Sequence, residues 1–132
     1  MTDYFVYVAC TTPVRLPAYE AATMAILKHL GVNAHHMKNV NCCGAQYIES
    51  LNRNAFAAMS GRILAVAERF GKDIIAVCGA CSGSLKHVKH MLDTEPELKA
   101  EVNDILAEED LEYTGKVQVM HILEIELYRI YT

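Results

Sequence analysis

The sequence has no apolar run approaching the roughly 20 residues needed to cross a bilayer, which excludes a helical membrane span. It has no basic leader: the opening MTDYFVYVAC carries Asp3 and neither lysine nor arginine, which argues against a secretory signal. It has no surplus of positive charge. A formal net charge of -4 removes the electrostatic footprint of a nucleic-acid or anionic-membrane binder. It also lacks a glycine-rich phosphate loop: where G-x-G-x-x-G would follow the first strand, the chain reads CTTPVR from Cys10, which argues against a nucleotide site. An odd number of cysteines, five, argues against a disulfide framework, and the expected compartment is cytoplasmic.

What is present is a folded composition, 52% apolar and 21% charged, in 132 residues. That length is one domain by size and can bury a core without staples. Its most informative residues are the five cysteines: Cys10, the adjacent Cys42 and Cys43, and Cys78 and Cys81. All fall where an apolar, strand-like run gives way to a polar or glycine-containing turn.

Residues 4 to 9 (YFVYVA) read as a buried strand. Pro17 suits the first turn of a helix that carries Ala18, Ala21 and Ala25 on its apolar side and stops at Gly31. Residues 32 to 40 read as a weaker strand, nearer an edge. One long helix is expected from about Ile48 to Phe70, with Leu51, Ala55, Met59, Ile63 and Val66 at helical spacing and Gly71 as its stop. Residues 73 to 77 (DIIAV) form the clearest strand. The next helix is expected near Ser82, and Thr94 with Glu97 reads as a capping box with Pro96 in a further helix. Residues 116 to 122 read as the fourth strand, and LEIELYRIY as the start of a last helix.

Strand-helix repetition with crossovers of this length predicts an α/β fold: a mostly parallel four-stranded sheet flanked by helices, Rossmann-like or flavodoxin-like. Chemistry in such sheets lies at the carboxyl ends of the strands, where Cys10, Cys42, Cys43 and Cys78 fall.

Thiolates gathered from three loops suit a soft metal or a sulfide cluster. A structural zinc wants four ligands in a tetrahedron, which an adjacent pair meets only with strain and which leaves a fifth thiol over. A thioredoxin-like dithiol at Cys78 and Cys81 leaves three cysteines unexplained. Iron and sulfide are favoured over both.

At these residues the sequence resembles a known family. Cys10, Cys42-Cys43-Gly44 and Cys78-Gly79-Ala80-Cys81, with the flanks CTTPVRLPAYE, NCCGA, CGACSGSL, EVNDIL and LEYTGKVQVMHILE, resemble the cysteine-rich CCG domain from which a subunit of heterodisulfide reductase is built. The likeness runs from about Tyr4 to Tyr128. It implies a noncubane [4Fe-4S] cluster on Cys10, Cys42, Cys43, Cys78 and Cys81, one per domain. It further implies reduction of a disulfide, such as that of coenzyme M and coenzyme B, in one-electron steps. The implied partners are a ferredoxin-like iron-sulfur subunit, a flavin subunit and a second CCG domain or chain. Reductase subunits of the family carry two such domains in tandem, and residues 1 to 132 read as a single one, the first. A non-catalytic electron-transfer or interaction module is the alternative reading of the same ligands.

Beyond the cysteines, Arg15 lies in the loop after Cys10 and is a candidate anchor for an anionic substrate group. His121, at the end of the fourth strand, is a candidate proton donor to a leaving thiolate; a hydrogen-bonded structural histidine is the plainer reading. Of His35 and His36, adjacent on a strand, only one can face a site. Lys86, His87, Lys89 and His90 form a basic patch suited to an acidic partner or to a solvated helix face. The acid-rich stretch from Asp93 to Glu112 reads as a solvated outer face, with a basic electron-transfer partner as the alternative.

Overall fold

A computed structural model describes residues 3–7, 17–37, 40–41 and 43–124. Four strands, β1 (Asp3–Tyr7), β2 (Asn33–His36), β3 (Asp73–Ala76) and β4 (Val119–His121), make one sheet in the order β2-β1-β3-β4. Every pairing is parallel, with Phe5 opposite both His35 and Ile74, and Ile75 opposite Met120. Parallel neighbours cannot be joined by a tight turn, and helices fill the crossovers. These are α1 (Pro17–His29), α2 (Ala45–Leu51), α3 (Arg53–Arg69), α4 (Gly79–Thr94) and α5 (Pro96–Leu106), with a 3-10 turn at Ala107–Glu109. The expected α/β architecture is present, and its strand order is the flavodoxin-like one.

Alternate strand residues point to opposite faces of the sheet. Phe5, Tyr7, Ile74 and Val119 therefore enter the larger core, with Phe56, Ile63 and Leu64 of α3, Leu85 and Val88 of α4, and Leu98 and Val102 of α5. Val6, Ile75, Val77 and Ile122 enter a smaller one with Leu27 of α1 and Val32. Helices thus cover both faces. The chain leaves β1 toward one side of the sheet and β3 toward the other, so the carboxyl ends of β1 and β3 form the switch point of the topology.

Several local expectations are corrected. The single helix from Ile48 to Phe70 is two, broken at Asn52, which is extended (φ -157°) and whose side chain accepts the Ala55 N–H at 3.1 Å. An asparagine oxygen that caps α3 competes with the continuous helix that apolar spacing alone suggests. Leu51 and Phe70, read as core, are 69% and 61% exposed, because the break and the end of α3 turn them outward. On α1, Ala18, Ala21 and Ala25 face solvent, and Thr23 and Leu27 are the buried positions. Alanines gain little from burial, so the larger Leu27 sets the helix rotation. The Thr94–Glu97 capping box does not form: the cap position of α5 is Glu95, and the Thr94 hydroxyl donates back to the His90 carbonyl at 2.8 Å, closing α4. β2 and β4 are shorter than expected, and α4 begins at Gly79, ahead of Ser82.

The segment leading into β4 is tied to the helices through Tyr113. Its ring is fully buried, its backbone N–H donates to Asn103 Oδ1 at 2.8 Å, and its phenol donates to Asp93 Oδ1 at 2.7 Å. Lys89 Nζ holds Asp93 Oδ2 at 3.1 Å and the Gly115 carbonyl at 3.0 Å. Burial opposes the charge of Asp93, but the hydrogen bonds from Tyr113 and Lys89 outweigh it and hold the carboxyl below its ordinary range.

Two outcomes follow from these contacts. Asn52→Ala removes the cap of α3 and is expected to cost about 1 kcal/mol in urea unfolding. The folded-state pKa of Asp93 lies below its unfolded one, so its ionised form adds stability above the ordinary carboxylate range, lost as pH falls through the lowered folded value. Asp93→Asn is therefore expected to lower the melting temperature at neutral pH and to flatten its decline in acid; an unchanged acid limb would contradict this.

Candidate functional site

The carboxyl edge of the sheet collects the described cysteines. After β2 the chain reaches Asn41 and Cys43, and Cys43 is almost completely buried at 1% exposure. Gly44 follows in the left-handed region (φ 86°) at the head of α2. A Cβ at Gly44 would stand 3.1 Å from Ile48 Cβ and 3.3 Å from Met59 Sδ, so both the backbone angle and the space require glycine. After β3, Cys78 takes the cap position of α4 in extended conformation, and its carbonyl accepts the Ser82 N–H at 2.9 Å. Since α4 begins at Gly79, Cys81 lies in its first turn and points inward, 7% exposed.

These two loops meet. Cys43 Sγ and Cys81 Sγ are 3.9 Å apart, Cys78 is half-buried, and all three are thiols rather than disulfides. The Cys81 thiol is pushed far above the usual cysteine range, first by its hydrogen bond with Cys43, then by burial and by the charges of Cys43 and Cys78. Crowded thiolates repel one another in a dry setting, and a cation among them reverses that balance. Among the described residues, no three His, Cys, Asp or Glu side chains are grouped as a metal site. Cys10, Cys42 and Arg15 lie outside the described residues.

The donor set can be tested against a metal on its geometry. Thiolates about 2.3 Å from one tetrahedral ion lie about 3.8 Å from each other. The Cys43–Cys81 spacing of 3.9 Å suits a shared ion.

A layer of hydrogen bonds that sequence reading missed surrounds the cysteine loops. Tyr7, at the end of β1, donates its phenol to the Asn41 carbonyl at 2.9 Å. Ser60 of α3 donates to the Cys43 carbonyl at 2.9 Å, and Tyr19 of α1 to the Val77 carbonyl at 2.8 Å. Asn41 Nδ2 donates to the Met59 carbonyl at 2.9 Å, and Arg62 Nη1 to Asn41 Oδ1 at 3.1 Å. Tyr7 sits in an apolar strand and reads as core. Ser60, a polar residue amid the buried face of α3, was the one available signal.

The other candidates fall elsewhere. His121 is at the carboxyl end of β4, where its Nδ1 accepts the Leu123 N–H at 3.1 Å, so the neutral ring carries its proton on Nε2. His35 and His36 are both exposed, and His36 Nδ1 faces Glu20 at 3.3 Å. The basic patch of α4 is largely spent inside the domain: Lys86 pairs with Glu124, His87 with Glu49 at 3.0 Å, and Lys89 with Asp93. Part of the acidic stretch is likewise internal, with Glu95 on Arg53 and Glu109 on Arg62 at 2.8 Å.

The chain is similar to known proteins. A subunit of the ferredoxin/F(420)H(2)-dependent CoB-CoM heterodisulfide reductase of Methanosarcina acetivorans is 35% identical over 94% of this chain and 42% of its own length. A subunit of the ferredoxin:CoB-CoM heterodisulfide reductase of Methanosarcina mazei is 32% identical over the same shares. The chain thus spans about two fifths of the length of these curated relatives. A hypothetical protein from Helicobacter pylori has the same fold, with a TM-score of 0.82 and 19% identity over 94% of this chain and 26% of that one. A family model for the cysteine-rich CCG domain matches residues 4–86, from β1 into α4, a span that holds all five cysteines, and this chain belongs to that family.

Proposed function

We propose that this chain holds a noncubane [4Fe-4S] cluster on Cys10, Cys42, Cys43, Cys78 and Cys81 and acts as the iron-sulfur subunit of a heterodisulfide reductase-like complex. Its reaction is the reduction of a disulfide in one-electron steps, the substrate being the CoB-CoM heterodisulfide or a related thiol disulfide. The observation that carries this reading is the buried Cys43–Cys81 contact of 3.9 Å at the carboxyl edge of the sheet, within a CCG domain. Iron is preferred to zinc because five thiols with an adjacent pair exceed the four ligands of a structural zinc.

When bound, such a cluster supplies single electrons and an iron able to take a substrate sulfur. The residues of the chain do the rest. Cys43 and Cys81 would anchor it from the dry side, and Cys78, half-buried, would hold it nearer the surface. Arg15, five positions after Cys10 in the sequence, is assigned to an anionic substrate group. His121, fixed through Nδ1, is assigned the proton for the departing thiolate, given from Nε2.

All five cysteines of this sequence are used by the one cluster, so electrons reach it from a centre outside these 132 residues. A ferredoxin-like iron-sulfur protein fed by a flavin subunit fits that need, and a second CCG domain or chain fits over the carboxyl edge. No described helix is long and apolar enough to cross a membrane.

Protein purified without oxygen is expected to be brown and to hold about four irons and matching sulfide per chain. A colourless preparation with stoichiometric zinc would overturn the assignment. Cys43→Ser is expected to lose most of the iron and to change the electron paramagnetic resonance spectrum of what remains; full iron content with an unaltered spectrum would remove Cys43 from the ligand set. Mixing the reduced protein with a heterodisulfide should oxidise it and release two thiols per disulfide consumed. Reoxidation by a redox dye but never by a disulfide would favour the electron-transfer module instead.

A further inference from the structure

Strands in a sheet lie about 4.8 Å apart, so β2 and β3, with β1 between them, end about 10 Å from each other. Cys43 follows β2 and Cys81 follows β3, yet their sulfurs are 3.9 Å apart. The parts of the chain that carry them must therefore converge over the end of β1. On the β2 side, the Met37 N–H still bonds the Val6 carbonyl of β1 at 3.2 Å. At the far end of β1 stands Tyr7, and its phenol takes the Asn41 carbonyl. From the helix side, the hydroxyl of Ser60 takes the Cys43 carbonyl. The loop after β3 is held in the same way, by Tyr19 on the Val77 carbonyl, next to Cys78.

Three hydroxyls from three elements thus each hold a backbone carbonyl at or beside a cysteine, across 17 to 58 residues of sequence. We infer that Tyr7, Ser60 and Tyr19 are positioning residues that set where the cysteine loops present their sulfurs. The inference rests on the metal-binding reading above and extends it to residues that touch no ligand. Its strength is graded by burial. Tyr7 and Ser60 are 2% and 0% exposed, so water replaces a lost hydroxyl there less readily, and the carbonyl loses the donor that fixes its direction. Tyr19 is 41% exposed, and water can take its place. A carbonyl that turns rotates the peptide plane joined to it, and the cysteine Cα moves with it.

The test compares wild-type protein, loaded with iron and sulfide without oxygen, with Tyr7→Phe, Ser60→Ala and Tyr19→Phe. Release of iron to a chelator under native conditions is expected to be about three- to tenfold faster in Tyr7→Phe and Ser60→Ala, the fold-change of one net hydrogen bond. Both spectra should shift or broaden in electron paramagnetic resonance, a signature that lowered stability alone does not produce. Tyr19→Phe should release iron less than about twofold faster, since solvent replaces its donor. In parallel, cadmium(II) is titrated into the apoproteins and followed by thiolate-to-metal absorption, with the two buried variants expected to bind about three- to tenfold more weakly. A wild type that takes up cadmium but never iron would refute the cluster reading, and weaker cadmium binding by the variants would still support the positioning role. Unchanged iron release, spectra and cadmium affinity in Tyr7→Phe would overturn it. That variant keeps the buried ring and decides the matter even where Ser60→Ala does not fold.

Discussion

Two buried sulfurs in contact across a strand that separates them are the constraint on which the structure turns. The Cys43–Cys81 contact needs the ends of β2 and β3 drawn together over β1, and only a parallel sheet points all of those ends the same way. The order β2-β1-β3-β4 then places the pair at the switch point, where crossovers leaving on opposite faces open a crevice. Gly44 lets the chain turn into α2 directly after Cys43, and the N-terminal start of α4 carries Cys81 inward. Moving either cysteine by one position would direct its sulfur elsewhere.

Much of this was legible in the sequence, for identifiable reasons. The strand-helix alternation revealed the fold class because DIIAV and YFVYVA are short, apolar and bounded by turns. The places of Cys43 and Cys78 at the carboxyl edge were legible because each follows a strand-like run. Hydrophobic spacing was misleading where a side chain competed with it: Asn52 divided a helix that apolar periodicity carried straight through, and Thr94 closed one helix where it was expected to open the next. Alanines misled for another reason, since their small surface leaves helix rotation to larger neighbours such as Leu27. The hydroxyls of Tyr7, Tyr19 and Ser60 were not legible, because a hydrogen bond to a carbonyl across the fold leaves no periodic trace.

Charge is distributed in keeping with such a site. The basic residues of α4, which read as a patch, are mostly drawn into pairs that fasten α4 to α2, to the segment after β4 and to the Gly115 turn. Those pairs hold the helix that carries Cys81 at three places along its length. Exposed pairs of this kind each contribute little, about 0 to 1 kcal/mol, so their effect is on the orientation of α4 more than on the stability of the domain. Tyr113 is the firmer tie, because its phenol and backbone bind two helices at once from a buried position.

The pairing of β1 with β3 also governs when the site comes into being. Tyr4 lies beside Asp73, so about 70 residues of chain must be gathered before that ladder closes, at an entropic cost that local helices do not share. The crossover helices can form early, from neighbours in sequence, while the crevice between the two strands cannot. Until β3 docks, Cys43 and Cys81 belong to independent parts of the chain. Assembly of the cysteine pair is therefore a late event in folding, and a metal or cluster that it holds would meet a domain whose sheet is already built.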